Sequence, residues 1–392
     1  MERQPLDNNR DRKPIAITCV IGPFFPVPPI QGGAVERINL TLCEEFARQG
    51  HSVKIISRMF PGLPRTQVLN GVTHRRVRSW SAPKNRALYR ILDLIYAFRV
   101  TAALEKSDIT ITNSVSLPLV LPKAKAGLIY VSVARNPKGQ MGIYRRAARL
   151  QAVSRHIENA ICEQSPNVRH LVKTVPNCLS REFSSAIGTT FGTRRKEILY
   201  VGRIAREKGI HLLLRAFNFL SREYPDWKLT IIGPHQPHLG GDGDAFLSEL
   251  MSLVERNPES VRFLGPIFDE KELIQKMGQA QIFVYPSIAV AGESFGLAPL
   301  EAMACGCPVV LSQLECFSDY LKPGINGLTF DHADETGETL AVALSRLIES
   351  EELRNKLAVN AIATSREFTP QAVAKLFLDD FRSLLKQHVQ SA

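Results

Sequence analysis

Two carboxylates eight residues apart, Glu293 and Glu301, flank the segment Phe295-Gly296-Leu297-Ala298-Pro299. Proline is tolerated only in the first turn of a helix, so a helix should open near Gly296–Leu297, and Cys305-Gly306 should close it. The free N–H groups of residues 296–298 would then form an anion pocket at the helix start. Glu293 falls outside that helix and Glu301 about one turn inside it. Carboxylates do not suit the anion itself. They suit hydroxyl groups on either side of it, because a carboxylate accepts hydrogen bonds from vicinal hydroxyls. A pyrophosphate with a sugar at each end fits this pattern. Upstream, Gly202-Arg203 and Lys208-Gly209 place two cations five residues apart on one loop. A guanidinium fork and an ammonium point charge together suit a diphosphate. A glycosidase-like acid pair is the rival reading, but it gives Arg203 and Lys208 nothing to do.

A third loop, Gly22 to Gly33, contains four prolines and ends in Gly32-Gly33 before a helix opening near Ala34. The glycines allow close backbone approach to an anion at a helix N-terminus. Its pattern is not GxGxxG, so a dinucleotide dehydrogenase is disfavoured. Taken alone, each of the three loops is also compatible with a purely structural role.

The elements that must position these loops alternate in a βαβ rhythm. Strands are expected at 15–21, 53–57, 109–112, 128–133, 151–153 and 171–175, with a helix over 34–47. The rhythm restarts with strands at 197–201, 227–233, 261–264, 282–285 and 308–311 and a helix over 210–221. Two doubly wound parallel sheets in series are therefore expected, and ligands of such sheets bind outside the carboxyl ends of the strands. The expected domains are residues 1–180 and 181–370, with the break near Leu179–Arg195. A last helix over 371–392 should pack back across the junction.

Composition narrows the class further. The 392 residues are 44% hydrophobic and 22% charged, as in a globular protein with a sizeable core. The polar start, Met1 to Lys13, does not read as a secretory signal, and no apolar run approaches a membrane span. Seven cysteines with no CxxC pair argue against a disulfide scaffold or a zinc ribbon and for the cytoplasm. The net charge of +11 is unevenly placed. Residues 1–180 hold 27 Lys and Arg against 11 Asp and Glu, a net of +16, and the remainder nets −5. Such a field draws an anionic partner to the first half, unless the charges are simply solvated.

With these residues in place, the chain resembles glycosyltransferase family 4, the retaining nucleotide-sugar transferases of GT-B architecture. The resemblance rests on Gly32-Gly33 with Glu36-Arg37, Ala152-Val153-Ser154, Val175-Pro176-Asn177, Gly202-Arg203 with Lys208-Gly209, the E-x-F-G-x-x-x-x-E element from Glu293 to Glu301, Cys307-Pro308-Val309-Val310 and Gly324-Ile325-Asn326-Gly327-Leu328. It implies two Rossmann-like domains facing a central cleft, the first for the acceptor and the second for the donor. It implies that Glu293, Arg203 and Lys208 are catalytic, and that Gly33, Arg203, Lys208, Phe295, Gly296, Leu297 and Glu301 bind the donor. Glu301 would hold the ribose and Glu293 the transferred sugar. The two cations would neutralise the leaving diphosphate, so neither a metal nor a separate cofactor is expected. The donor would be a UDP- or GDP-linked hexose. The acceptor would be a glycan or a lipid-linked molecule of cell-envelope or exopolysaccharide synthesis. Family members often carry a His after a strand like 128–133; here the segment reads Val133-Ala134-Arg135-Asn136-Pro137, which leaves Arg135 or Asn136 as substitutes or the transfer activity weakened.

One stretch of the basic half, Lys84 to Arg99, carries Leu88, Ile91, Leu92, Ile95 and Phe98 at helical spacing between basic residues. It reads either as an interfacial helix on an anionic membrane face or as a core helix with a broad apolar side. Arg145, Arg146 and Arg149 form a second basic cluster. Peripheral attachment to the inner membrane face is the expectation. A non-catalytic GT-B subunit is the nearer alternative. A nucleic-acid-binding protein is the remoter one, since it would leave Glu293 and Glu301 without a role.

Overall fold

A computed structural model describes residues 13–30, 32–83, 85–254 and 258–391. The readings placed on the first twelve residues and on Lys84 lie outside them. The described chain falls into two compact units. The first holds the described residues through Ser132, then Ile143–Gln151 and the chain from Ala374 on; the second holds Val133–Gly142 and Ala152–Val373.

In the first unit, β1 (Ala16–Val20), β2 (Ser52–Arg58), β3 (Thr66–Leu69), β4 (Val72–Val77), β5 (Ile109–Thr112), β6 (Leu128–Val133) and β7 (Arg149–Ala152) run in the order β3-β4-β2-β1-β5-β6-β7. Pairing is parallel from β4 to β6, and the edge strand β3 is antiparallel to β4. Every residue of β5 is buried, as expected of a parallel strand covered on both faces. The sequence reading left β3 and β4 out. The reason is β4 itself, whose Val-Thr-His-Arg-Arg-Val reads as polar although His74 and Arg76 are both fully buried.

The second unit contains β8 (Val172–Thr174) and a sheet of β9 (Arg195–Val201), β10 (Lys228–Ile232), β11 (Val261–Phe263), β12 (Ala280–Tyr285), β13 (Val309–Ser312) and β14 (Leu328–Phe330). Its order is β11-β10-β9-β12-β13-β14, parallel throughout. Strand order reverses between β9 and β12. The crevice that such a reversal opens lies beyond the carboxyl ends of these two strands.

The two units divide the chain differently from the expected break near Leu179–Arg195, with residues 152–194 in the second unit. Their bonds give the reason. The Ser154 hydroxyl donates to the Ser294 carbonyl (2.6 Å), the Arg155 N–H to Asp319 (2.8 Å), and Asn159 to Glu315 (2.7 Å). Further on, Ser180 donates to Glu270 (2.6 Å), and the Arg194 guanidinium bonds the carbonyls of Ala280, Cys305 and Gly306. The helix Pro370–Ser391 joins the first unit from Ala374 onward. There Asp380, fully buried, accepts from Arg149 (2.8 and 2.9 Å) and from the Tyr130 hydroxyl (3.1 Å), beside the rings of Phe46, Phe377 and Phe381.

Candidate active site

The two loops at the switch point of the second sheet carry the residues singled out from the sequence. Residues 202–209 follow β9, and residues 286–296 follow β12. Lys208 Nζ lies 2.6 Å from Glu293 Oε2, with side chains only 6% and 10% exposed. A pair this buried resists solvent screening. The ammonium also sits 5.4 Å above the Tyr285 ring, which stacks on Tyr200 at 5.8 Å. Burial first, and the Glu293 charge second, push both phenols well above their ordinary value, so they stay protonated. Tyr200 donates to the Arg203 carbonyl (2.9 Å), fixing the loop just past its strand.

Arg203 is half-exposed and does not touch Glu293. Its guanidinium donates to the Gly240 carbonyl (2.6 Å) and to Glu207 Oε1 (2.7 Å). The Glu207 carbonyl in turn accepts from the Ile288 N–H (2.9 Å) and the Ser287 hydroxyl (3.2 Å), which locks one loop against the other. Gly209 makes this closeness possible: a Cβ there would run into the Pro286 carbonyl.

The helix Leu297–Ala304 starts where Pro299 requires. Gly296, at φ 73°, precedes it in the left-handed region that favours glycine, and a Cβ would strike the Phe317 ring. No side chain caps this start, and the Tyr320 hydroxyl fixes the turn through the Gly296 carbonyl (2.8 Å). Phe295 is buried against Tyr320 and Phe368. It positions the turn from below, while the N–H groups after it supply the partial positive charge of a helix start. Glu301 is buried on the second turn of the same helix.

Seven of the eight predicted site residues therefore lie in one unit. Lys208 meets Glu293 directly, Arg203 is tied in through Glu207, and Phe295, Gly296, Leu297 and Glu301 follow on the same loop and helix. Gly33 is separate from them: it belongs to the first unit, where it precedes the helix Ala34–Arg48. The Glu36 carboxylate, nine-tenths buried, lies against Gly33 where a Cβ would otherwise project. The sequence reading missed Tyr200, Tyr285 and Glu207. Tyr285 closes the strand at the switch point, and that position is the signal that could have found it. The segment after β6 places Arg135 at the surface, whereas Asn136 keeps its Oδ1 buried with no partner.

Two doubly wound, largely parallel sheets in series are the GT-B architecture, which solved glycosyltransferases similar in fold share. Comparison with known proteins gives the family. Residues 32–183 match Glycosyltransferase Family 4, and residues 186–364 match Glycosyl transferases group 1. The chain belongs to these glycosyltransferases. It is 33% identical over 194 residues to a D-inositol 3-phosphate glycosyltransferase of Corynebacterium urealyticum, covering 48% of this chain and 43% of that one. It is 31% identical over 203 residues to a phosphatidyl-myo-inositol mannosyltransferase of Mycobacterium leprae, covering 51% and 50%. The chain thus matches half or less of the length of these two relatives. In fold it is similar to a sucrose-phosphate synthase of Thermosynechococcus elongatus, with TM-score 0.72 at 20% identity over 95% of this chain and 100% of the other.

Proposed function

We propose that this glycosyltransferase is a retaining enzyme that moves a hexose-like sugar from a UDP- or GDP-linked donor to a glycan or lipid-linked acceptor. Its setting would be envelope or exopolysaccharide synthesis on the cytoplasmic side of a membrane. The observation that carries the reading is the buried Lys208–Glu293 pair, 2.6 Å apart, at the switch point of the second sheet. An ammonium has three protons, and the pair occupies one of them. The rest can serve a diphosphate without any metal or cofactor, with the Arg203 fork beside them. Glu293, whose carboxylate can accept more bonds than those from Lys208 and the Tyr285 hydroxyl, then suits a sugar hydroxyl, and Glu301 suits the ribose.

In the proposed step the bond from the sugar C1 to the diphosphate oxygen breaks. The acceptor oxygen bonds C1 on the same face, and its proton passes to the departing phosphate. Charge on that phosphate grows as the bond breaks, so cations held in place before the reaction lower the barrier more than they tighten the ground state. The lipid-acting relative from Mycobacterium leprae favours a lipid-linked acceptor. Calorimetric titration with UDP and GDP, on the wild type and on Lys208→Ala, tests the donor site. Micromolar binding of one nucleotide that weakens at least tenfold in the variant supports it, and equal binding by both proteins overturns it.

A second reading, a donor-binding subunit without transfer, is favoured by one observation: the segment Val133-Ala134-Arg135-Asn136-Pro137 has no His. Asn136, with its unpartnered oxygen, is the residue we put in that place. Donor hydrolysis or transfer that vanishes in Asn136→Ala while nucleotide binding persists identifies an enzyme. Tight nucleotide binding with no turnover in the wild type identifies the subunit.

A further inference from the structure

We infer that the first unit carries a built docking face for an anionic lipid bilayer, formed by the outer side of the helix Arg86–Ala103. The helix is apolar on two opposite sides. Asp93, Tyr96, Ala97, Val100 and Ala103 face inward and are buried. At about 100° per residue, Leu88, Ile91, Leu94, Ile95 and Phe98 project on the opposite side. All five are exposed, from 38% for Ile95 to 57% for Phe98. The alternative of a core helix with one broad apolar side is thereby set aside: the core uses a different stripe. Scattered exposed apolar residues are ordinary, but a contiguous stripe of five on one helix marks an interaction surface.

Charge selects the occupant. Arg90, exposed, and Arg99, half-buried, lie along the two edges of the stripe, and Arg86 is exposed at the start of the helix. The helix has one acid, Asp93, and it is buried, accepting from the Ser114 hydroxyl (2.9 Å) and the Ser116 N–H (2.7 Å). That contact brings residues 114–116 beside the helix, and the Tyr144 hydroxyl donates to the Val115 carbonyl (2.8 Å). Tyr144 is followed by Arg145 and Arg146, both exposed, which add to the basic surface of the same unit. An apolar stripe with Arg90 and Arg99 at its edges and Arg86 at the helix start, with no exposed acid on the helix, matches anionic headgroups over acyl chains. A second copy of this chain would bring the same arginines against each other across a two-fold axis, which disfavours self-association. No helix among the described residues is long and apolar enough to cross a membrane, so attachment through this face lies on the bilayer.

This inference extends the membrane setting of the proposed function but uses none of the donor residues. The full chain is floated with vesicles of phosphatidylcholine alone or with 30% phosphatidylglycerol (about a third anionic lipid, enough to hold basic segments at the surface). Binding to the anionic vesicles, at least tenfold weaker on neutral ones, is expected. Ile91→Ser with Phe98→Ser should lower it at least tenfold without changing the unfolding midpoint, since both side chains are exposed. Arg86→Glu with Arg90→Glu should remove most of the preference for anionic lipid. Equal binding to both vesicle types, or an Ile91→Ser/Phe98→Ser variant that floats like the wild type, overturns the inference. So does a dimer in solution that this variant dissolves, because the stripe would then be covered by a second copy. Nucleotide titration of the same variant separates the two readings. Retained nucleotide binding with lost flotation supports the docking face, and flotation by a wild type that binds no nucleotide would sink the donor-site reading alone.

Discussion

Both units place their loops at a reversal of strand order, yet they use cations there in opposite ways. In the first unit the reversal lies between β1 and β5, and residues 22–33 follow β1. Pro23, Pro26, Pro28 and Pro29 in this loop supply no N–H, so the loop is held through its carbonyls. Tyr96 donates to the Ile21 carbonyl (3.0 Å), Ser79 to Pro23 (2.6 Å), Arg58 to Phe24 (2.6 Å) and Arg76 to Val27 (2.9 Å). Arg58 and Arg76 are buried and form no ion pair among the described residues, and burial lowers both guanidinium pKa values. In the second unit, Lys208 and Arg203 are bound to carboxylates instead. A cation paired with an acid can change partners when a phosphate arrives. A guanidinium that holds two backbone carbonyls cannot do so without releasing the loop. The basic character of the first half is thus partly scaffolding, which its total charge does not reveal.

The largest effect should come from breaking the paired side. Lys208→Ala strands Glu293 as a lone buried charge, a change that costs about 3–5 kcal/mol where it has been measured. The same variant should lose at least tenfold in nucleotide affinity or turnover, and so should Glu301→Ala, which keeps the Lys208–Glu293 pair. Titration calorimetry and initial rates read these losses. Wild-type constants in both variants would mean that the loops after β9 and β12 are not the donor site.

The scaffolding side should answer differently. Arg76 bonds the carbonyls of Pro64 (2.7 Å) and Val27 (2.9 Å) with two arms of one fork. Lysine keeps the charge but has no fork, so Arg76→Lys leaves one buried carbonyl unsatisfied, worth about 1–3 kcal/mol. Urea unfolding should show that loss, with nucleotide affinity unchanged. A variant as stable as the wild type but weakened in nucleotide binding would reverse the assignment of roles between the two loops.

The paired side was legible in the sequence because its chemistry is local. Pro299 dates the start of a helix, two carboxylates bracket it, and the cations sit five residues apart on one loop. The positions of strands follow from β-branched runs such as Ile109-Thr110-Ile111-Thr112. The scaffolding side was not legible. The bonds from Arg58 and Arg76 to residues 24, 27 and 64 join segments up to 49 residues apart, and β4, with its buried His74 and Arg76, reads as a polar loop. For the same reason the exposure of Phe98 and Ile91 could not be separated from burial by periodicity. A stripe of leucines and isoleucines states that a face is apolar and leaves open what lies against it. The attachment of residues 152–194 to the second unit depends on hydroxyl and carboxylate contacts of Ser154, Arg155 and Asn159, none of which leaves a periodic trace.

A smaller effect sharpens the same contrast through pH. His74 lies on β4 two residues before Arg76, fully buried, with neither ring nitrogen bonded. Burial, and then the charge of Arg76, pulls its imidazole down to about 4 from an ordinary 6.5. The unfolded chain takes up this proton near pH 6.5 and the folded chain does not until about pH 4. Stability is therefore complete above about pH 6.5, falls as the pH drops through that window, and levels off below it. His74→Leu removes the titrating group without orphaning a partner, so it should be nearly neutral at pH 7. At pH 5 the wild type should lose more stability, relative to pH 7, than the variant does, read as the shift in the urea midpoint. Equal losses in the two proteins would show that the His74 imidazole takes up its proton in the fold as readily as in the unfolded chain, so that neither burial nor the Arg76 charge depresses it on this face of the first sheet.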